Sequence, residues 1–219
     1  MTRSEENYIK TIYHLGDAGM HSVPTNAIAS QLKTQPSSVT DMIKKLSDKK
    51  YVHYKKYRGV YLSEKGVNAA LTIIRKHRLW EVFLAEKLGF NWDEVHDVAE
   101  QLEHIKSEKL IDKLDAFLNF PKYDPHGDPI PGKNGELAQR SLQLLSSLQP
   151  NEAGICVGVK DSSVTFLKFL DKHNISLGDH IKILDAEEFD ESLTIQIDNK
   201  NLHISKRIAT NLFIKPVRE

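Results

Sequence analysis

PTNAIASQLKTQPSSVTDMIKKLSDKKYVHYKKYRGVYLSEKG, residues 24–66, is the stretch on which the fold turns. Its first half divides at KTQ into two short helical patterns, Ile28, Ala29 and Leu32, then Val39, Ile43 and Leu46. Two helices joined by a tight turn, the second opened by Pro36 and Ser37, follow helix-turn-helix logic, with the second as the reader. From Tyr51 the period changes. YVHYKKYRGVYLSEKG alternates aromatic or β-branched residues with polar ones around a basic, glycine-containing bend, the pattern of a β-hairpin placed as a wing. Small hydroxyls and cations suit phosphate and base-edge contacts. On the helices the candidates are Thr25, Pro36, Ser37, Ser38, Thr40, Asp41, Lys44 and Lys45, and on the wing they are Lys55, Lys56 and Arg58. The plainer reading is a three-helix core with solvated Ser, Thr and Lys; the basic wing argues against it.

Outward from this stretch, Tyr8, Ile9, Ile12, Tyr13 and Leu15 keep a helical period, with Ser4 as the capped start ahead of Glu5 and Glu6. Residues 67–120 return to helical periodicity, with breaks near Gly89 and around Ile105–Ser107. They predict one helix of about 20 residues and two shorter ones. PKYDPHGDPIPGKNGE (121–136) cannot continue a helix and reads as an extended connector. After a short helical piece around 137–148, the segments AGICVGVK, DHIKILDA, SLTIQI, NLHIS and LFIKPV predict short strands, interrupted by a helix near 163–173. About seventy residues of short strands suggest a small barrel. The expected division is 1–75, 76–136 and 137–219, mainly α with a small β domain.

Charge is distributed unevenly. Overall, 30 Lys+Arg balance 30 Asp+Glu, yet residues 1–75 hold twelve basic against six acidic side chains. A basic first third beside an acidic remainder favours a polyanion-binding module joined to one that binds cations or itself. The single cysteine, Cys156, excludes an intramolecular disulfide and a cysteine-rich zinc site. No apolar run approaches the roughly 18–20 residues that span a bilayer, so a cytoplasmic protein with no membrane partner is expected.

HDVAEQLEH (96–104) carries the chemistry. At helical pitch His96, Glu100, Glu103 and His104 fall on one stripe, where a buried apolar face normally lies. HRLWE (77–81) places His77 and Glu81 one turn apart. A solvated charged face with fortuitous histidines is the bland alternative, but six potential ligands in two sets favour a metal site. Carboxylates and imidazoles without thiolate suit manganese, iron, cobalt, nickel or zinc, with a carboxylate-rich set leaning to manganese or ferrous iron. An enzyme or metal-storage protein with a carboxylate/His centre is the competing class. No Glu-x-x-His pair, nucleophile elbow, phosphate-binding glycine loop or His-Glu-x-x-His supports an enzyme.

Taken in order, ENYIKTIY (6–13), PSSVTDMIKKL (36–46), YKKYRGVYLSEKG (54–66), HRLWEVFL (77–84), HDVAEQLEH (96–104) and DPHGDPIPG (124–132) resemble the diphtheria toxin repressor and manganese transport regulator family of metal-dependent transcriptional repressors. The resemblance runs through essentially the whole chain. It implies a winged-helix domain, a helical dimerisation and metal-sensing domain, and a C-terminal Src-homology-3-like (FeoA-like) β-barrel. It implies a homodimer that binds near-palindromic operator DNA and represses metal-uptake genes. By the same resemblance His77, Glu81 and His96 match an ancillary metal site, and Glu100, Glu103 and His104 match the primary, activating site. Glutamate at 100, where iron regulators tend to carry cysteine, implies Mn²⁺, with Fe²⁺ the alternative and other divalent ions able to substitute. Two positions depart from the pattern. Asn7 stands where relatives supply methionine or aspartate, and Lys10 where manganese regulators carry glutamate. Some iron-type members add ligands from the barrel, and Asp161 in DSSVTF (161–166) is this chain's candidate.

Overall fold

Thr2 and Glu5 start the first helix. In this computed structural model, which describes residues 1–55, 59–138 and 142–217, helix α1 (Arg3–Leu15) opens on a reciprocal capping box. The Glu5 amide donates to Thr2 Oγ1, and the Thr2 amide to Glu5 Oε2 at 3.0 Å. The cap is therefore Thr2 rather than Ser4, because only Thr2 has glutamate at the third position after it.

Helices α2 (Thr25–Gln31) and α3 (Pro36–Asp48) are separated by a turn in which Lys33 adopts φ +49. Pro36 occupies the first turn of α3, where a missing N–H costs nothing. Strands β1 (Val52–Lys55) and β2 (Gly59–Leu62) pair antiparallel from Val52↔Leu62 to Lys55↔Gly59, the hairpin that alternation predicts. Helix α4 (Glu64–Leu88) follows, then α5 (Val95–Leu102) and α6 (Glu108–Phe117).

Beyond the connector, β3 (Gln143–Leu144) and a single 3₁₀ turn at Leu145–Ser147 stand where a short helix is expected. Leu145 is fully buried there and anchors the sheet, so packing overrides the local helical period. Then come β4 (Ala153–Val159), α7 (Val164–Lys172), β5 (His180–Ala186), β6 (Leu193–Ile197), β7 (Lys200–Ile204), the unanticipated one-turn helix α8 (Lys206–Ala209), and β8 (Leu212–Pro216). Among the described residues the sheet is antiparallel in the order β3-β8-β4-β5-β6-β7, with β3 and β7 as open edges. The ladder is not closed into the expected barrel. Register shifts at Cys156/Gly158 and Ile183/Asp185 bend it.

The chain forms two compact units. The first comprises Met1–Trp80, Ala99–Leu114 and Pro131–Leu137; the second comprises Glu81–Val98, Asp115–Ile130 and Ala138–Glu219. In the first, Ile9 and Ile12 of α1 pack with Ile28, Val39, Ile43 and Leu46 of α2 and α3, Val52 and Val60 of the wing, and Ile73 of α4. In the second, alternating β residues such as Leu193, Ile195 and Ile197 meet Leu167 and Leu170 of α7.

Candidate metal centres and DNA-reading helix

Within the first unit, three segments bring polar groups to one place. Helix α1 supplies Glu6, Asn7 and Lys10, one to two turns from its capped start. Helix α4 supplies His77. Helix α5 ends at Leu102, so Glu103 and His104 lie in the turn that follows it rather than on the continuing stripe expected from periodicity. That turn buries Glu103 completely. His77 Nδ1 lies 2.7 Å from Glu103 Oε2, and one ligand atom from each of His77, Glu100 and Glu103 falls within 4.8 Å of the others. The Lys10 ammonium donates to Glu103 at 2.8 and 2.7 Å and to Glu100. His104 Nδ1 meets Glu6 Oε2 at 2.5 Å.

Burial by itself would raise the Glu103 pKa. The His77 ring and the Lys10 ammonium more than offset it and hold the carboxyl below its ordinary range. Lys76, also buried, is shifted down by desolvation, with Glu6 and Glu103 opposing the shift.

These residues fit a divalent cation. Asn7 Oδ1 and His104 Nε2 are buried without a hydrogen-bond partner, and His104 Nε2 stands 3.7 Å from Glu103 Oε1. A buried amide oxygen and a buried ring nitrogen left without partners are costly unless a ligand completes them. His77 thus contacts a member of the set that the resemblance calls primary.

The second unit holds Glu81, on the same helix α4 one turn beyond His77, and His96 on α5. Their closest atoms, Glu81 Oε1 and His96 Nδ1, are 3.5 Å apart, and the His96 side chain is about half exposed. Periodicity missed two further ligand types here. Asp124 and His126 sit in the proline-rich connector, yet both are buried, and one atom from each lies within 4.8 Å of a Glu81 oxygen and of the other. His126 Nε2 is 2.8 Å from the Trp92 carbonyl. A carbonyl only accepts, so Nε2 carries a proton, which leaves Nδ1 as the ring nitrogen facing Glu81 Oε1 at 3.8 Å. Asp124 Oδ1 accepts from the His126 and Asp128 amides, which closes the turn. Gly127 permits it. Its φ is +85, and a Cβ there would stand 2.1 Å from the Val157 carbonyl oxygen of β4. Asp-x-His within a Pro/Gly-locked turn is the sequence signal that could have found this cluster. Asp161 accepts from the Ser163 amide and joins no such cluster among the described residues.

On the candidate reading helix, Pro36, Ser37 and Ser38 are exposed at the first turn of α3, while Thr40 is half-buried and back-bonds to the Pro36 carbonyl. Thr25, at the start of α2, is half-buried. Lys44 is exposed and lies 3.6 Å from Asp41, itself exposed. Lys45 differs, because its ammonium sits 3.0 Å from the buried Glu5 carboxylate, which also holds Lys49 at 2.7 Å. Lys55 ends β1. Lys56 and Arg58 lie outside the described residues.

Comparison with known proteins matches three regions of the chain. Residues 1–60 match the family described as iron dependent repressor, N-terminal DNA binding domain, and residues 63–132 match iron dependent repressor, metal binding and dimerisation domain. Residues 143–216 match the FeoA domain. The chain is 36% identical over 118 residues to an uncharacterised HTH-type transcriptional regulator of Methanocaldococcus jannaschii, covering 54% of this chain and 94% of that protein. It is 38% identical over 123 residues to the HTH-type transcriptional regulator MntR of Oceanobacillus iheyensis, covering 56% and 82%. Against the iron-dependent repressor IdeR of Mycobacterium tuberculosis it is 36% identical over 128 residues, 58% of this chain and 55% of that one. Among solved structures, a manganese-dependent transcriptional repressor in complex with manganese superposes with a TM-score of 0.83 at 31% identity, covering 97% of this chain and all of that one.

Proposed function

Because the chain belongs to the iron-dependent repressor family of metal-dependent, DNA-binding transcriptional repressors, we propose that it represses metal-uptake genes as a homodimer on a near-palindromic operator, with Mn²⁺ as its co-repressor. Fe²⁺ is the second candidate. The observation that carries the reading is the pair of unsatisfied buried atoms, Asn7 Oδ1 on α1 and His104 Nε2, the latter 3.7 Å from Glu103 Oε1. Asn7, Glu100, Glu103 and His104 are assigned as primary ligands, with His77 adjoining them. His77, Glu81 and His96 are assigned as the ancillary set of the resemblance, and Asp124 and His126 are added as ligands beside Glu81.

The donor set favours the metal assignment. It offers carboxylate, amide oxygen and imidazole, and the chain's cysteine is a core residue of the sheet, its thiol pushed up to about 11 by burial. Hard oxygen-rich donors suit Mn²⁺ and Fe²⁺ better than thiolate-seeking ions. When bound, the metal supplies two positive charges that draw carboxylates and a neutral amide together.

What the chain does with those ligands follows from where they sit. Asn7 belongs to α1, whose Ile9 and Ile12 pack in one core with α2 and α3. Fixing Asn7 against Glu103 and His104 therefore fixes the helix that carries the reader. In a twofold dimer, two readers held at one spacing match half-sites on one DNA face. Coupling is reciprocal, so operator DNA tightens metal binding by the same factor. A division into three functional domains, 1–75, 76–136 and 137–219, draws its support in number and order from the three matched regions, the first two of which meet near residue 60, and strand bulges that curve the open sheet are compatible with a barrel-like module. Among the described residues no helix is long and apolar enough to cross a membrane.

Fluorescence anisotropy of operator fragments, titrated anaerobically with Mn²⁺, Fe²⁺ and Zn²⁺, tests the reading. Wild type should bind only with metal. His104→Ala should remain a folded dimer that no longer responds, and a His104→Ala variant that keeps the Mn²⁺ response would refute the ligand assignment.

A further inference from the structure

The Lys10 ammonium already occupies the candidate primary site. It is accepted by both oxygens of Glu103, at 2.8 and 2.7 Å, and by Glu100. The Lys10 side chain is 11% exposed and the Glu103 side chain 0%. The oxygens that would hold a metal are therefore spent on a positive charge tethered to α1. Three carboxylates, Glu6, Glu100 and Glu103, meet two ammonium groups, Lys10 and Lys76, in this region. A divalent ion added with Lys10 in place would leave a net positive cluster away from bulk water. With the Lys10 ammonium withdrawn, the same ion brings the cluster to neutrality, which is the cheaper arrangement where solvent cannot screen.

From this we propose that Lys10 is a built-in competitor cation: its ammonium pairs with both Glu100 and Glu103 in the metal-free chain, and a divalent ion enters by displacing it. Lys10 thereby sets how much metal the repressor needs. The inference rests on the primary-site reading above. Lys10 also gives the fully buried Glu103 carboxylate a partner before metal arrives, where an unpaired carboxylate would be costly. In the metal-free chain the Lys10 ammonium and Glu6 hold α1 to the turn after α5; with metal bound Asn7 Oδ1 takes over from Lys10, and this exchange is what resets α1 and the reader it carries.

Two measurements on the full-length dimer test it. Free Mn²⁺ is read by paramagnetic resonance against wild type, Lys10→Leu, Lys10→Arg and His104→Ala. Leucine removes the competitor without offering a ligand, and the His104-dependent Mn²⁺ affinity should rise by about tenfold, within the usual range of coupling between two sites. Lys10→Arg keeps the charge and should give no gain. In parallel, the wild type is acylated with an amine-reactive acetyl ester and Lys10 followed by mass spectrometry. Saturating Mn²⁺ should raise Lys10 labelling severalfold, because the ammonium leaves its carboxylates. Should Lys10→Leu fail to fold, the labelling decides alone. Unchanged or weaker Mn²⁺ affinity in a folded Lys10→Leu, or labelling that stays flat or falls with Mn²⁺, overturns the proposal. Loss of Mn²⁺ binding in His104→Ala alongside either result leaves the primary-site reading standing. If His104→Ala binds Mn²⁺ as wild type does, the reading and the proposal fall together.

Discussion

Glu5 shows how one side chain takes several roles. Its carboxylate completes the α1 cap, and it is buried between Lys49 and Lys45. The Lys49 ammonium is the main cause of a pKa held down from 4.5 to about 2, with burial opposing and the Thr2 amide and Lys45 assisting. Because the folded value is depressed, the stabilisation is fully present above pH 4.5 and is lost as pH falls through about 2. Glu5→Gln should therefore unfold at lower urea than wild type at pH 7, and the gap should close steadily between pH 4.5 and 2. A gap that persists unchanged at pH 2 would mean that the carboxylate charge is not what stabilises this corner. Ligand-type residues were readable from the chain one by one. The partners of Lys10, ninety residues along the chain, were not, and neither was the orphaned state of Asn7 Oδ1, which depends on burial.

At the scale of elements, the winged helix-turn-helix was legible because its signals are local: apolar period, Pro36 at a helix start, alternation through the wing. Charge pairing within it was not, and that alters what each lysine can offer DNA. Lys44→Ala should lower the salt slope of operator binding by about one unit, as loss of one phosphate contact does. Lys45→Ala should lower it less, because Glu5 already neutralises the Lys45 ammonium. Equal slopes for the two variants, measured from 50 to 200 mM salt, would contradict this ranking. The proline-rich connector is the opposite case. Composition marks it as a breaker and hides that its Asp124–Asp128 turn is seated on β4, with the Val159 amide donating to the His126 carbonyl at 3.0 Å. Gly127→Ala would force a Cβ into the Val157 carbonyl at φ +85. A loss of at least ~1–3 kcal/mol in urea unfolding is expected from the backbone conformation alone.

For the whole molecule, the repressor reading requires two copies. Leu88, Phe117 and Phe120 of the second unit are each more than half exposed, and the Phe83 and Phe117 rings pack with centroids 6.3 Å apart. Exposed apolar groups of this size are candidates for a contact surface, and the matched family description assigns residues 63–132 to metal binding and dimerisation. Phe117→Asp should shift the protein to monomer in sedimentation equilibrium and abolish metal-dependent operator binding, while far-UV dichroism stays as in wild type. A Phe117→Asp dimer of unchanged strength would place the interface elsewhere. Sequence alone determined the winged helix-turn-helix and the helices after it, the basic wing, the long alternating strands and which residue types could bind metal, because period, turn chemistry and side-chain chemistry are properties of neighbours along the chain. Tertiary structure alone decided that α5 stops at Leu102, that Asp124 and His126 join Glu81, that the sheet stays open, and that Lys10 fills the oxygens of Glu100 and Glu103. Those outcomes depend on burial and on charges meeting through space, where the cost of desolvating a carboxylate selects its partner regardless of distance in sequence.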